Sequence, residues 1–192
     1  MAITKGVNIG CADIQGAGGI RYILIRSWIT DDEVTYLNTA TTHSITTIKV
    51  SGGGDATWYM YEFKNQLPSL SVSASKENGS TSYDCSLEFM MPDMDDGKGA
   101  RLQALMDTCT MVMVIGNNGK NYVFGASQKY ANEKAITRNQ TYASMTGAEG
   151  ATGAAYNDDN GWTVTLGAKQ WEAPRIYSGI PTLYVTNDTA TT

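Results

Sequence analysis

The segment that decides the fold runs from Leu70 to Met91 and reads LSVSASKENGSTSYDCSLEFMM. In its first part Leu70, Val72 and Ala74 fall on one face and serines on the other, the strict alternation of a half-buried strand. KENGS then supplies a turn centred on Asn78-Gly79, a pair that accepts the positive φ angles of a tight hairpin. Beyond the turn, Tyr83, Cys85, Leu87, Phe89 and Met91 point one way, while Ser82, Asp84, Ser86 and Glu88 point the other. Strand, turn and strand predict an antiparallel hairpin with one face in a core.

Toward the carboxyl end, PDMDDG breaks this period. Leu102, Leu105, Met106 and Cys109 then recur at i, i+3, i+4 and i+7, the stripe of one amphipathic helix, with Asp95 or Asp96 as its N-cap. MVMVI, from Met111 to Ile115, reads as a fully apolar strand, and Asn117, Asn118 and Gly119 turn the chain into Tyr122–Gly125. Residues 127–160 carry only weak strand patterns. GWTVTLGA places Trp162, Val164 and Leu166 on one face of another strand, and Thr182–Thr186 reads as a further short one. Leu87, Phe89, Leu102, Leu105, Met106, Val112, Val114, Val164 and Leu166 are expected to be buried together, with the helix lying against a sheet.

Toward the amino end, Gly19–Thr30 is a strand rich in Ile, Tyr and Trp, and Asp31–Ser44 reads as a polar loop. Ile45–Val50 and Thr57–Phe63 predict a hairpin across SGGGDA, whose glycines permit positive φ. The organisation expected is an amino-terminal arm over 1–18, a β-domain over 19–174 and a carboxyl-terminal arm over 175–192. With about eight to ten strands, one helix and no α/β alternation, the fold class is mainly β. The architecture expected is an antiparallel β-sandwich or barrel with one packed α-helix.

At 192 residues the chain has the length of a single domain able to bury its own core. Charged residues make up 17%, below the roughly 25% of an ordinary soluble domain. A surface rich in Thr, Ser, Asn and Gly suits repeated protein contact. The net charge is −5, and the basic residues, such as Arg21 and Arg26, stand singly. Tight nucleic-acid binding needs clustered cations, so it is not expected. Three cysteines, Cys11, Cys85 and Cys109, give an odd count without a CxxC pair, which reads as small buried hydrophobes in a reducing cytoplasm. The first residues lack the apolar core of a signal peptide, and no stretch reaches the ~18 apolar residues of a membrane span.

Chemistry-bearing motifs are sparse. His43, the one histidine, lies in a polar stretch, and the nucleophile elbow G-x-S-x-G does not occur. The glycines from Gly16 and from Ser51 fit neither a dinucleotide fingerprint nor a phosphate loop. Asp93, Asp95 and Asp96 are the best metal candidates, but Gly97 falls one position late for a calcium loop and Ala104 stands where its closing glutamate belongs. Helix capping explains these acids better. Asp158 and Asp159 read as turn residues. No catalytic residue, cofactor or metal is expected, and the chain is read as a non-enzyme.

Four segments, in order, carry a resemblance: ENGSTSYDCSLEFMMP, GARLQALMDTCTMVMVIGNNGKNYVFG, ATGAAYNDDNGWTVTLGAKQWEAP and a brief tail. Their order and spacing over 77–174 resemble tail-tube-like virion proteins of phages of gut and marine Bacteroidota, including the crAss-like phages. The matching positions at the carboxyl end are Thr152, Gly153, Asp158, Asn160, Gly161, Trp162 and Pro174. The stretch 175–192 departs from the short ending of that family. The resemblance implies a tail-tube-type β-sandwich in the virion, with copies of itself in a six-fold or twelve-fold ring, adjacent tail or neck proteins as partners, and DNA only in transit. It implies assembly in the host cytoplasm and no membrane. Acidic inward loops are then expected, from Asp31, Asp32, Glu33, Asp93, Asp95 and Asp96. A carbohydrate-binding module or fibre-associated adhesin is the alternative, and it requires a face of exposed aromatics. Trp28 and Trp162 are expected to be buried, while Trp58 and Trp171 are left open.

Overall fold

A computed structural model describes residues 18–28, 33–38, 42–49, 56–63, 68–128, 141–155 and 158–184. The first 17 residues of the expected arm, Cys11, Asp31, Asp32, most of the SGGGDA loop and the end beyond Tyr184 lie outside the described residues. Among the described residues the elements are β1 (Ile20–Ser27), β2 (Glu33–Asn38), β3 (His43–Lys49), β4 (Thr57–Glu62), β5 (Ser69–Glu77), β6 (Ser80–Pro92), α1 (Asp96–Asp107), β7 (Thr110–Gly116), β8 (Asn121–Phe124), β9 (Ser144–Ala151), β10 (Gly161–Gln170), β11 (Arg175–Tyr177) and β12 (Thr182–Tyr184). They form an eight-stranded sheet, β12-β4-β1-β7-β8-β11-β3-β2, and a four-stranded sheet, β5-β6-β10-β9. The chain is mainly β with two sheets and one helix, as expected.

Strand β7 holds the centre. All seven residues of TMVMVIG are buried, so both of its faces lie inside the protein. On one side Val112 and Val114 join Ile23 and Ile25 of β1 against Leu87 and Phe89 of β6 and Val164 and Leu166 of β10. On the other, Met111, Met113 and Ile115 join Leu24, Trp58, Ile45 and Ile48 in a second core. Each fully buried aliphatic side chain of this kind contributes roughly 1.5–3 kcal/mol. A continuous apolar run is what a strand between two cores requires.

The second core exists because the large sheet curls. Strands β11 and β12 occupy its sixth and first positions, yet only residues 178–181 separate them in sequence. In a flat sheet the five inter-strand steps would span about 24 Å. The five Cα–Cα steps from Tyr177 to Thr182 reach at most about 18 Å. The sheet must therefore bend toward a barrel.

Predicted elements are recovered at the decisive hairpin, where Asn78 and Gly79 have φ of 48° and 80° as a type I′ turn demands. The helix, the β7–β8 hairpin and β10 are also recovered. Three expectations change. The polar loop of 31–44 contains strand β2, which pairs antiparallel with β3. Val34 is buried and Tyr36 packs on the second core, two apolar positions too few to stand out in sequence. The hairpin expected between β3 and β4 does not form: β3 pairs with β2 and β11, and β4 with β1 and β12. Residues 175–184 of the expected carboxyl-terminal arm are hydrogen-bonded into the large sheet as β11 and β12.

A buried polar cluster fixes β11. Arg175 is 6% exposed and its guanidinium lies 4.9 Å from the Tyr36 ring centre. Its Nη2 pairs with Glu172 Oε2 at 2.6 Å, and Nη1 donates to Asn38 Oδ1 at 2.7 Å. Glu172 Oε1 in turn accepts from the Gln128 amide at 2.6 Å. Three chain segments meet at one ion pair. Removing one partner leaves a buried charge, so Arg175→Ala is expected to cost about 3–5 kcal/mol in chemical unfolding.

Of the expected core residues, Met106 is the exception. It is 64% exposed, whereas Leu102 and Leu105 enter the first core. The helix thus buries a stripe narrower than its sequence period implies, and Cys109 is exposed as well, against the expectation of a buried thiol. Cys85 is buried, and desolvation, aided by Asp84, pushes its thiol up to about 12, which keeps it inert. Leu105→Ala is expected to destabilise by about 2–5 kcal/mol. Met106→Ala should change urea unfolding by no more than about 0.5 kcal/mol.

Candidate assembly interface

The small sheet buries one face and leaves the other to solvent. Pairing registers place Ser73, Asp84 and Lys169 in one outward row, and Ser69, Glu88, Thr165 and Gly147 in another. Ser71, Ser86, Gly167 and Ser144 fill the row between. Glu149 faces out beside Thr163. Carboxylates at Asp84, Glu88 and Glu149 stand against the single ammonium of Lys169 on these rows. Short hydroxyls supply the rest, with Ser75 and Ser82 sharing a 2.9 Å hydrogen bond.

Both edges of this sheet lack a strand neighbour among the described residues. β5 pairs with β6, and β9 with β10. All but one of the nine residues of β5 are exposed, and it carries neither proline nor bulge. Such an edge is a template for another strand. At the opposite edge β9 reads SMTGAEGA and contains a register shift opposite Thr165/Leu166.

The apolar side of β5 differs from its sequence expectation. Leu70 is half-buried, but Val72 is 44% exposed and Ala74 is exposed. The large sheet does not close against Val72. Instead a groove of about 600 Å³ runs there, walled by Leu70 and Val72 above and by Ile20, Val114, Tyr122 and Pro174 below. Gly18 and Gly19, where the described chain begins, form its end.

The acidic candidates fall in two places. Asp95 caps α1: its Oδ1 accepts from the Lys98 amide at 2.7 Å, and its Oδ2 pairs with Lys98 Nζ at 2.8 Å. Asp93, at φ 68°, lies 3.8 Å from the same Nζ, and Asp96 sits in the first helical turn. Lys98 occupies the position a cation would take, and among the described residues no three His, Cys, Asp or Glu side chains gather as a metal site. Glu33 opens β2, and Asp31 and Asp32 are outside the described residues. His43 is exposed at the start of β3. Asp84, Glu88 and Glu149 were not among the candidates, although the alternation of 82–91 already put the first two on the solvent side.

The tryptophans do not build an aromatic platform. Trp58 is 1% exposed, Trp28 packs on the second core and donates from Nε1 to Gly125 O at 2.7 Å, and Trp162 packs on the first. Trp171 is half-buried. No helix among the described residues is long and apolar enough to cross a membrane.

Among the described residues these features define a two-sheet β protein with one packed helix and a small sheet exposed on one face. No protein-family model matches the chain, and no curated protein matches it. Among solved structures, a chain in the tail of an empty GTA particle with C6 symmetry aligns with it. That alignment covers 81% of this chain and 84% of the other, at 12% identity and a TM-score of 0.29.

Hydrogen bonds from Lys98, side chain before backbone, hold the Asp95 carboxyl below the usual carboxylate range. A depressed folded-state value means that the cap contributes above the unfolded-state pKa and is lost as pH falls through the folded one. The carboxyl carbon of Asp95 is therefore expected to titrate below that of a free aspartate in NMR, and Asp95→Asn to remove the acid sensitivity of the first turn of α1.

Proposed function

We propose that this chain is a structural, non-enzymatic subunit of a bacteriophage tail that joins copies of itself into a ring of six or twelve around the DNA passage. The observation that carries the reading is the small sheet, whose two unlike edges, β5 and β9, have no strand neighbour among the described residues. Two unlike edges make a head-to-tail contact, which closes into a ring when the rotation between neighbours divides a full turn. Joining β5 of one copy to β9 of the next would extend the four-stranded sheet from subunit to subunit.

The outward face of that sheet is the wall we assign to the passage. Its serines, threonines and glycines are short, and its carboxylates outnumber its one lysine. Asp93, Asp95 and Asp96 lie just past the end of β6 and add the same sign at the rim, tempered by Lys98. A basic wall would hold phosphates with steep salt dependence and slow their exit. An acidic one keeps the duplex centred, through a repulsion screened beyond about 8–10 Å in physiological salt. Neighbouring tail or neck proteins would meet the two ends of the ring, and the large curled sheet would form its outer part.

Electron micrographs of the purified or particle-bound protein are expected to show rings of six or twelve copies, with the outward face of the small sheet toward the hole. A chain found as an isolated decoration without contacts to its copies would refute the reading. So would a continuous belt of Lys and Arg from this chain on the lumen.

A further inference from the structure

The geometry points to the groove beneath β5 as an acceptor site for residues 1–17 of a second copy of this chain. The inference rests on the ring reading above and names the contact that would lock neighbouring copies together.

Three observations carry it. The groove is apolar on both walls, with Leu70 and Val72 facing Ile20, Val114 and Tyr122, and it leaves Val72 44% exposed where its strand partner Cys85 is buried. The backbone edge of β5 borders the same groove and has no strand neighbour among the described residues. A segment seated in the groove thus lies at the seam where β9 of the next copy would join, and gains burial of its apolar side chains there. Finally, the described residues begin at Gly18, which lines the groove, so residues 1–17 are joined to the fold beside it.

Sequence and length fit the occupant. MAITKGVNIGCADIQGA carries Ile3, Val7 and Ile9 with glycines between, and one Lys against one Asp, so it brings apolar side chains and no net charge to an uncharged groove. Seventeen extended residues span roughly 55–60 Å. A folded domain of this size has a radius of gyration of roughly 16 Å, so an extended segment of this length can reach a neighbouring copy.

Complementation between two full-fold variants tests this. One lacks residues 2–17 and so keeps a free groove; the other carries Val72→Asp, or Val72→Lys should the first fold poorly, and so keeps a segment without a groove. Each is checked by thermal melting and then sized by sedimentation, alone and mixed. Neither is expected to assemble alone, while the mixture should give discrete pairs, the segment of one copy seated in the other. If the truncated chain forms the same rings as the intact one, the inference is overturned and the ring reading stands. If the mixture gives no pairs, the segment does not act between copies and the inference is likewise overturned. Should the intact chain form no ring, the ring reading fails on its own. A labelled peptide of residues 1–17 titrated onto the truncated protein then decides the groove: saturable binding lost with Val72→Asp upholds it, and no binding overturns it.

Discussion

The structure depends on one constraint: β7 is buried on both faces at once. A strand with apolar side chains on both sides cannot end its packing with a single partner layer. The first core takes up one face by laying the small sheet and α1 over it. The other face is covered by the large sheet itself, which curls until β2, β3 and β4 close over Met111 and Met113. That curling in turn needs the short crossing from β11 to β12, and β11 is held in place by the ion pair of Arg175 with Glu172. Hydrophobic burial sets the architecture, and one buried charge pair, surrounded by neutral acceptors, secures its closure.

The division of labour between the sheets follows. Around β1 and β7 the large sheet has a core on each face. The small sheet uses only one, and its other face is covered in hydroxyls and a few carboxylates. Its edges end without partners among the described residues, and the chain has few charges to guard them. Edge strands in a free monomer are usually blunted by lysine, proline or bulges. β5 has one lysine near its tip and none of the other devices. Such an edge is what the proposed joining of copies would use.

Much of this was legible before any coordinates. Alternation over 70–91 identified the β5–β6 hairpin, the side that enters the core and the Asn78-Gly79 turn, because pleating and turn sterics are local. The unbroken apolar run of 111–115 marked a fully apolar strand for the same reason. An aspartate cap was readable before the periodic stripe, with Asp95 and Asp96 both open, and the structure has Asp95 there. Met106 was misplaced because a helical stripe reports which residues share a face, while the width of the partner surface determines how many of them are covered.

What the amino-acid order alone determined, then, is the set of locally encoded parts: hairpins, one helix, a doubly apolar strand and a weakly charged surface. Only tertiary structure decided which strands became neighbours. β3 and β4 are adjacent in sequence yet pair elsewhere, and β11 enters between β8 and β3 on the strength of contacts with Asn38 and Gln128. It also decided that Val72, patterned as a core residue, would stand over an open groove. Side-chain periodicity fixes the face of a strand, but the extent of the opposing layer depends on how far the other sheet bends, a property that no single segment encodes.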